Sequence, residues 1–270
     1  MKTLYEEIIA PPNGKEDKTG TFRRWCVPLL WVAVPGALLG LFQLVKGQKE
    51  MMNGLIRHVT TPFKQFLARL CDLVPFAVAE VIWGLAILAF LLFLGRSAWL
   101  ILRRDHKLRR LGRRVLALAS ALLIVYCGYT ALWGINYYGD SFSDLSGIQP
   151  RGATVEELAT LTAAFGNALN TYAGQVSRDG DSRFNQDVDD IFSAAPGKYD
   201  GICQEFPFLE GAEHRPKQLL SSPIISRLDF TGFFFPFTGE ALLNVDSPAS
   251  FIPATILHEL AHQRLSLIHI

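Results

Sequence analysis

Residues 75–94 read PFAVAEVIWGLAILAFLLFL, twenty positions in which Glu80 is the one ionisable side chain. At about 1.5 Å per residue a helix of that length covers roughly 30 Å, the thickness of a bilayer's hydrocarbon core. Two similar runs flank it. Residues 25–45 carry no charge, and their Pro28, Pro35, Gly36 and Gly40 would weaken a soluble helix but are tolerated in a spanning one. Residues 115–138 close on Trp133, Tyr137 and Tyr138, aromatics suited to the headgroup level, where an apolar ring keeps a wet polar edge. The three runs predict a mainly α membrane protein with three transmembrane helices. The first starts too late and is too long for the apolar core of a cleaved signal peptide.

Composition agrees with part of the chain lying in lipid. Of the 270 residues 50% are hydrophobic and 19% charged, below the roughly 25% usual in soluble domains. A formal net charge of +1 argues against a nucleic-acid partner. Cys26, Cys71, Cys127 and Cys203 are scattered without a CxxC pair and suggest neither a disulfide framework nor a thiolate zinc site.

Charge placement orients the spans. The loop 103–114 carries Arg103, Arg104, Lys107, Arg109, Arg110, Arg113 and Arg114 against one acid, Asp105. Lys- and Arg-rich loops resist translocation, so this loop and the N-terminal segment 1–24 are expected in the cytoplasm. Everything after 138 then faces outward. The outer loop 46–72 repeats Met52, Leu55, Ile56, Val59, Phe63, Phe66, Leu67 and Leu70 at helical spacing. That stripe suits an amphipathic helix, bent near Pro62, lying on the outer leaflet or packed on the outer domain. Glu80, about 8 Å inside its span at helical rise, is expected to snorkel or to bond a neighbouring helix.

Residues 139–264 are expected to form a small α+β domain. The Gly-, Ser- and Asp-rich 139–152 reads as a linker. Thr154 and Glu157 form a capping box opening a helix to about 175, with Leu158, Leu161, Phe165 and Leu169 as its inner face. Short helices are predicted over 187–209, broken by Pro196, Gly197 and Pro207. The aromatic run 230–237 and residues 239–245 predict two strands around a turn. Pro253 then opens the last helix.

On that last helix lie His258, Glu259 and His262, an HExxH arrangement. Four residues of helix is about 400° of rotation, so both imidazoles share a face and can bind one metal. Neutral imidazole nitrogen suits Zn²⁺, and Glu259 lies where a general base for hydrolysis belongs. The predicted metal ligands are therefore His258 and His262, the catalytic residue Glu259 and the cofactor Zn²⁺. No substrate-binding residue is read. An intramembrane protease would need this motif inside a span, and the apolar run 251–257 is too short for one.

Three blocks together carry a resemblance: Leu132-Trp133-Gly134-Ile135-Asn136-Tyr137-Tyr138, then Pro236-Phe237-Thr238-Gly239-Glu240-Ala241 with Asn244, then His258-Glu259-Leu260-Ala261-His262-Gln263. In their content and order the chain resembles domain of unknown function 3810, an uncharacterised family of bacterial membrane proteins. The resemblance implies a zincin-like, specifically gluzincin-like, zinc peptidase of unknown substrate in the bacterial cell membrane. It also implies a third zinc ligand in an acidic segment beyond the motif. Here Arg264 leads instead into Leu265-Ser266-Leu267-Ile268-His269-Ile270. Residues 265–270 are therefore expected to be a non-native tail on a C-terminally truncated, inactive fragment. On an unbroken helix His269 would sit about 10 Å along the axis from His262, too far to share a metal. The competing expectation is a non-catalytic membrane protein whose degenerate zincin-like outer domain binds a partner.

Overall fold

Residues 18–103, 107–149 and 151–265 are described by the structure, a computed structural model, with backbone only for 18–28, 109 and 265. The expectations for Arg104, Asp105 and His269 lie outside the described residues. The chain divides into two units, residues 1–60 with 81–138 and residues 61–80 with 139–270.

In the first unit the apolar runs form long helices. These are α1 (Lys18–Val45), α4 (Val78–Arg103) and α5 (Lys107–Leu132), with the shorter α2 (Lys49–Leu55) between α1 and a π-helical stretch, Ile56–Thr60. Two segments are long and apolar enough to cross a membrane, Val78–Arg103 and Arg110–Leu132. Only 6% and 11% of their most apolar windows are buried. A core helix of a soluble protein would hide such side chains, because exposing them to water is costly. The apolar part of α1 within the described residues, Leu29–Val45, is shorter. Hydroxyls in these helices are satisfied locally: Ser97, Ser120 and Thr130 each donate to the carbonyl four residues back. The boundaries differ from the sequence reading at the basic loop. Arg110, Arg113 and Arg114 belong to the first turns of α5, because Lys and Arg are good helix formers that continue a neighbouring helix. At its other end α5 stops at Leu132, and Gly134–Tyr138 tightens into a 3₁₀ turn. Tyr138 receives a hydrogen bond from Lys46 (3.3 Å) and an edge contact from Phe42.

The second unit is built on a three-stranded sheet ordered β1 (Lys217–Gln218), β3 (Glu240–Leu243), β2 (Gly232–Phe235). β2 and β3 form the expected antiparallel hairpin, Phe233 opposite Leu242 and Phe235 opposite Glu240. β1 runs parallel to β3, and its two residues are too few to carry a periodicity in the sequence. All four residues of β3 are buried. Ala241 and Leu243 face the last helix, α11 (Ile252–Leu265), through Ile252, Ile256 and Leu260. Leu242 faces the other way, against Ala77, Ala79 and Leu219. Asn244, 1% exposed, donates to Ser226 Oγ and the Phe230 carbonyl and accepts from the Asp246 amide, which pins the strand's exit.

The helix α3 (Thr61–Cys71) packs on this unit by Lys64, Ala68 and Cys71, which recur one helical turn apart. Its close neighbour is the hairpin turn. Gly239 sits at φ +71°, and a Cβ there would lie 2.7 Å from the Lys64 carbonyl oxygen and 3.0 Å from Ala68 Cβ. No residue but glycine meets both demands. The expected packing of the outer-loop stripe on the domain is not what α3 shows: it packs by Lys64, Ala68 and Cys71 and leaves Phe63, Phe66 and Leu70 exposed.

Lys64 is 3% exposed with its ammonium over the Phe234 ring, and burial lowers its pKa to about 7. The folded state thus binds fewer protons than the unfolded chain between about pH 7 and 10.5, so this group makes stability rise with pH. Between pH 7 and 9 the rise is expected to be about 2 kcal/mol. Denaturation midpoints of the detergent-solubilised chain should show it, and Lys64→Met should flatten the profile. An unchanged profile in the variant would refute the assignment.

Two readings of the outer domain need correction. The segment 139–152 is not a bare linker: α6 (Phe142–Ser146) is capped by Ser141 and Asp144, and Phe142 packs on Phe206 and Phe208. Next, α7 (Val155–Ala173) opens on the expected Thr154–Glu157 box, but Leu158, Leu161, Phe165 and Leu169 are exposed. Periodicity shows that a helix has an apolar stripe and says nothing of what covers it. The short helices α8 (Val188–Ala194), α9 (Asp200–Glu205) and α10 (Ser222–Ser226) complete the unit.

Candidate metal centre

The apolar spacing Ile252, Ile256, Leu260 turns one face of α11 into the core, which leaves His258 on the outer face. His262 follows one turn later and is half-buried. Their Nε2 atoms are 3.1 Å apart, with ring planes at 89°. Two zinc–nitrogen bonds of about 2.0–2.1 Å at a tetrahedral angle place the nitrogens about 3.4 Å apart. The pair therefore fits two positions of a zinc site with a shift of a few tenths of an ångström. Among the described residues no group of three His, Cys, Asp or Glu side chains gathers around one point.

Glu259 is 5% exposed, and its Oε2 has no hydrogen-bond partner among the described residues. Burial raises its pKa to about 7. Strand β2 makes this pocket at Gly232, where a Cβ would come 3.2 Å from Glu259 Cγ and 2.9 Å from Thr255 Cγ2. A lone glycine within an aromatic strand was the available signal for that close approach.

Beyond the motif, α11 is tied down along its length. Gln263 donates to the Gly239 carbonyl (2.9 Å) and accepts from the His214 amide (3.3 Å). His214 in turn pairs through Nδ1 with Asp72 at 2.6 Å. Arg264 pairs with Glu213 (3.1 Å), donates to the Leu209 carbonyl and covers the Tyr199 ring, while the Tyr199 hydroxyl donates to the Leu257 carbonyl. Two of the sequence blocks, Pro236–Ala241 and His258–Gln263, thus meet physically through Gln263 and Gly239.

Glu240, at the start of β3, is 3% exposed and accepts from the Val78 and Ala79 amides (3.0 and 2.9 Å) and from Lys217 Nζ (2.8 Å). Lys217 also donates to the Cys71 and Phe76 carbonyls. The Glu240 carboxylate caps the start of α4, where free amides favour a negative charge. Glu80, the other singled-out acid, does similar work: it accepts from the Leu220 and Ser221 amides and from the Ser221 hydroxyl. Ser221 is the N-cap of α10, so Glu80 bonds a neighbouring helix, the second of its two expectations.

No curated protein and no solved structure matches the chain. The family model described as "Protein of unknown function (DUF3810)" matches residues 57–265, from the π-helical stretch to the end of α11. A match over that much of the chain takes in the hairpin, the buried carboxylate clusters and the HExxH helix together, and the chain belongs to the DUF3810 family.

Proposed function

We propose that this protein is a membrane-anchored zinc metallopeptidase that hydrolyses peptide bonds outside the cytoplasm. The observation that carries the reading is the His258–His262 nitrogen pair at 3.1 Å beside the buried Glu259, whose Oε2 has no hydrogen-bond partner among the described residues. His258 and His262 would hold the ion, and a bound Zn²⁺ supplies polarisation of a scissile carbonyl and acidification of water. Glu259 Oε2 accepts a proton from the attacking water and returns it to the leaving amine. Its surroundings suit that task, because a carboxyl whose pKa stands near 7 both takes and gives a proton at neutral pH. The site residues are therefore Glu259 as base and His258 and His262 as two ligands. The third ligand is assigned to an acidic residue outside this set.

The anchor is proposed as three spans, with 25–45 as the first, a cytoplasmic N-terminus and the domain after 138 on the outer side of a bacterial cell membrane. The basic positions 103–114 between two long apolar helices support that orientation. A reporter fused after Gly139 is expected to be active only outside the cytoplasm, and one fused at Lys107 only inside. The opposite pattern would move the metal motif to the cytoplasm and end the reading.

Zinc stoichiometry of the purified chain tests the centre directly. Zinc is expected to bind through the two imidazoles and to be lost in His258→Ala and His262→Ala. Zinc content indifferent to both histidines would favour the non-catalytic, partner-binding outer domain.

A further inference from the structure

Three different faces run along α3. At 100° per residue Lys64, Ala68 and Cys71 fall within about 60° of one another. They are 3%, 2% and 8% exposed, and they carry the hairpin turn at Gly239 and the Lys217 cluster. Phe63, Phe66 and Leu70 form a second stripe of similar width, centred roughly 130° away. These are 49%, 53% and 49% exposed, and Leu73, just past the helix end, is 79% exposed. Gln65 and Arg69 lie on the remaining face. Phe63, Phe66 and Leu70 are thus turned away from the domain that Lys64, Ala68 and Cys71 hold.

What covers that stripe follows from chain continuity. Cys71 ends α3, and Val78 begins a 26-residue helix long and apolar enough to cross a membrane. Six residues separate the two, a reach of about 20 Å at full extension, and the turn between them is exposed and apolar at Leu73 and Phe76. A helix tethered that closely to the entry point of a span is within reach of the interface, where an apolar face gains by burial about 5–10 Å into the headgroup and acyl boundary.

We infer that α3 is a two-sided interfacial helix that seats Phe63, Phe66 and Leu70 in the outer lipid leaflet while its opposite face grips the HExxH domain at Lys64, Ala68 and Cys71. This rests on the membrane reading above and extends it to the unit carrying the metal motif. The occupant is lipid. A second copy of the chain would leave the stripe accessible to water-borne quenchers at low protein density and protected at high density. Lipid protects it at any density.

The test places a genetically encoded fluorescent amino acid, singly, at Phe66, Leu70, Arg69 or Leu88 of the full chain in phosphatidylcholine vesicles. One vesicle set carries bromine near the headgroup end of the acyl chains and another near their methyl end. All four positions are solvent-exposed on their helices, so the fold tolerates the probe. Shallow bromines are expected to quench Phe66 and Leu70 severalfold and Arg69 little, and deep bromines to quench Leu88. Leu88 quenched with Phe66 and Leu70 unquenched would overturn the interfacial helix alone. Leu88 unquenched by either set would overturn the membrane reading and this inference with it. Protection of Phe66 that appears only at high protein density, without bromine quenching, would assign the stripe to a second copy and refute the lipid.

Discussion

Glu259→Gln, in a chain carrying its full ligand set, is expected to lower peptide hydrolysis by about 10²–10⁴-fold while zinc stays bound. The amide keeps the shape of the carboxyl but accepts no proton, and it leaves His258 and His262 untouched on their own face of α11. Stability adds a second readout. With its pKa raised by burial to about 7, folded Glu259 holds its proton more tightly than the unfolded carboxyl does. The stabilising contribution is therefore present below about pH 4.5 and is lost as pH rises through about 7. Glutamine has no such loss, so the metal-free variant is expected to be at least as stable as the parent at pH 8 by thermal denaturation. Hydrolysis equal to the parent's would remove Glu259 from the reaction. Loss of zinc along with activity would make it a structural support for the ligands.

Glu240→Ala is the second large effect, and it falls on stability. Removing one partner of a buried ion pair strands the other charge, at a cost of about 3–5 kcal/mol. Here the stranded group is Lys217, 5% exposed, and the amides of Val78 and Ala79 lose their acceptor as well. The denaturation midpoint of the detergent-solubilised chain should fall accordingly. A double change, Glu240→Leu with Lys217→Met, should recover much of the loss, because no unpaired charge remains. A single variant with an unchanged midpoint would show that the cluster is dispensable. Since Glu240 stands in the Pro-Phe-Thr-Gly-Glu block, the result also separates a structural reason for that block from a role in substrate contact.

The chain's own sequence carried the long helices, the hairpin, the Thr154 cap and the helix bearing His258, Glu259 and His262, and each for a local reason. Long apolar runs, an aromatic run beside a turn, a Thr and Glu three apart and two histidines four apart are patterns set by the geometry of one element. DUF3810 membership was legible in the same way, from blocks that are contiguous in sequence. Tertiary structure decided the rest. Glu240 and Lys217 are 23 residues apart and Asp72 and His214 are 142 apart, and nothing in either neighbourhood announces the partner. The stripes of α3 and α7 show the same limit. Both helices repeat apolar residues at helical spacing, yet α3 packs by Lys64, Ala68 and Cys71, and α7 buries none of its residues. Periodicity reports the rotation of a helix about its axis, whereas burial depends on which surface the folded chain brings against it.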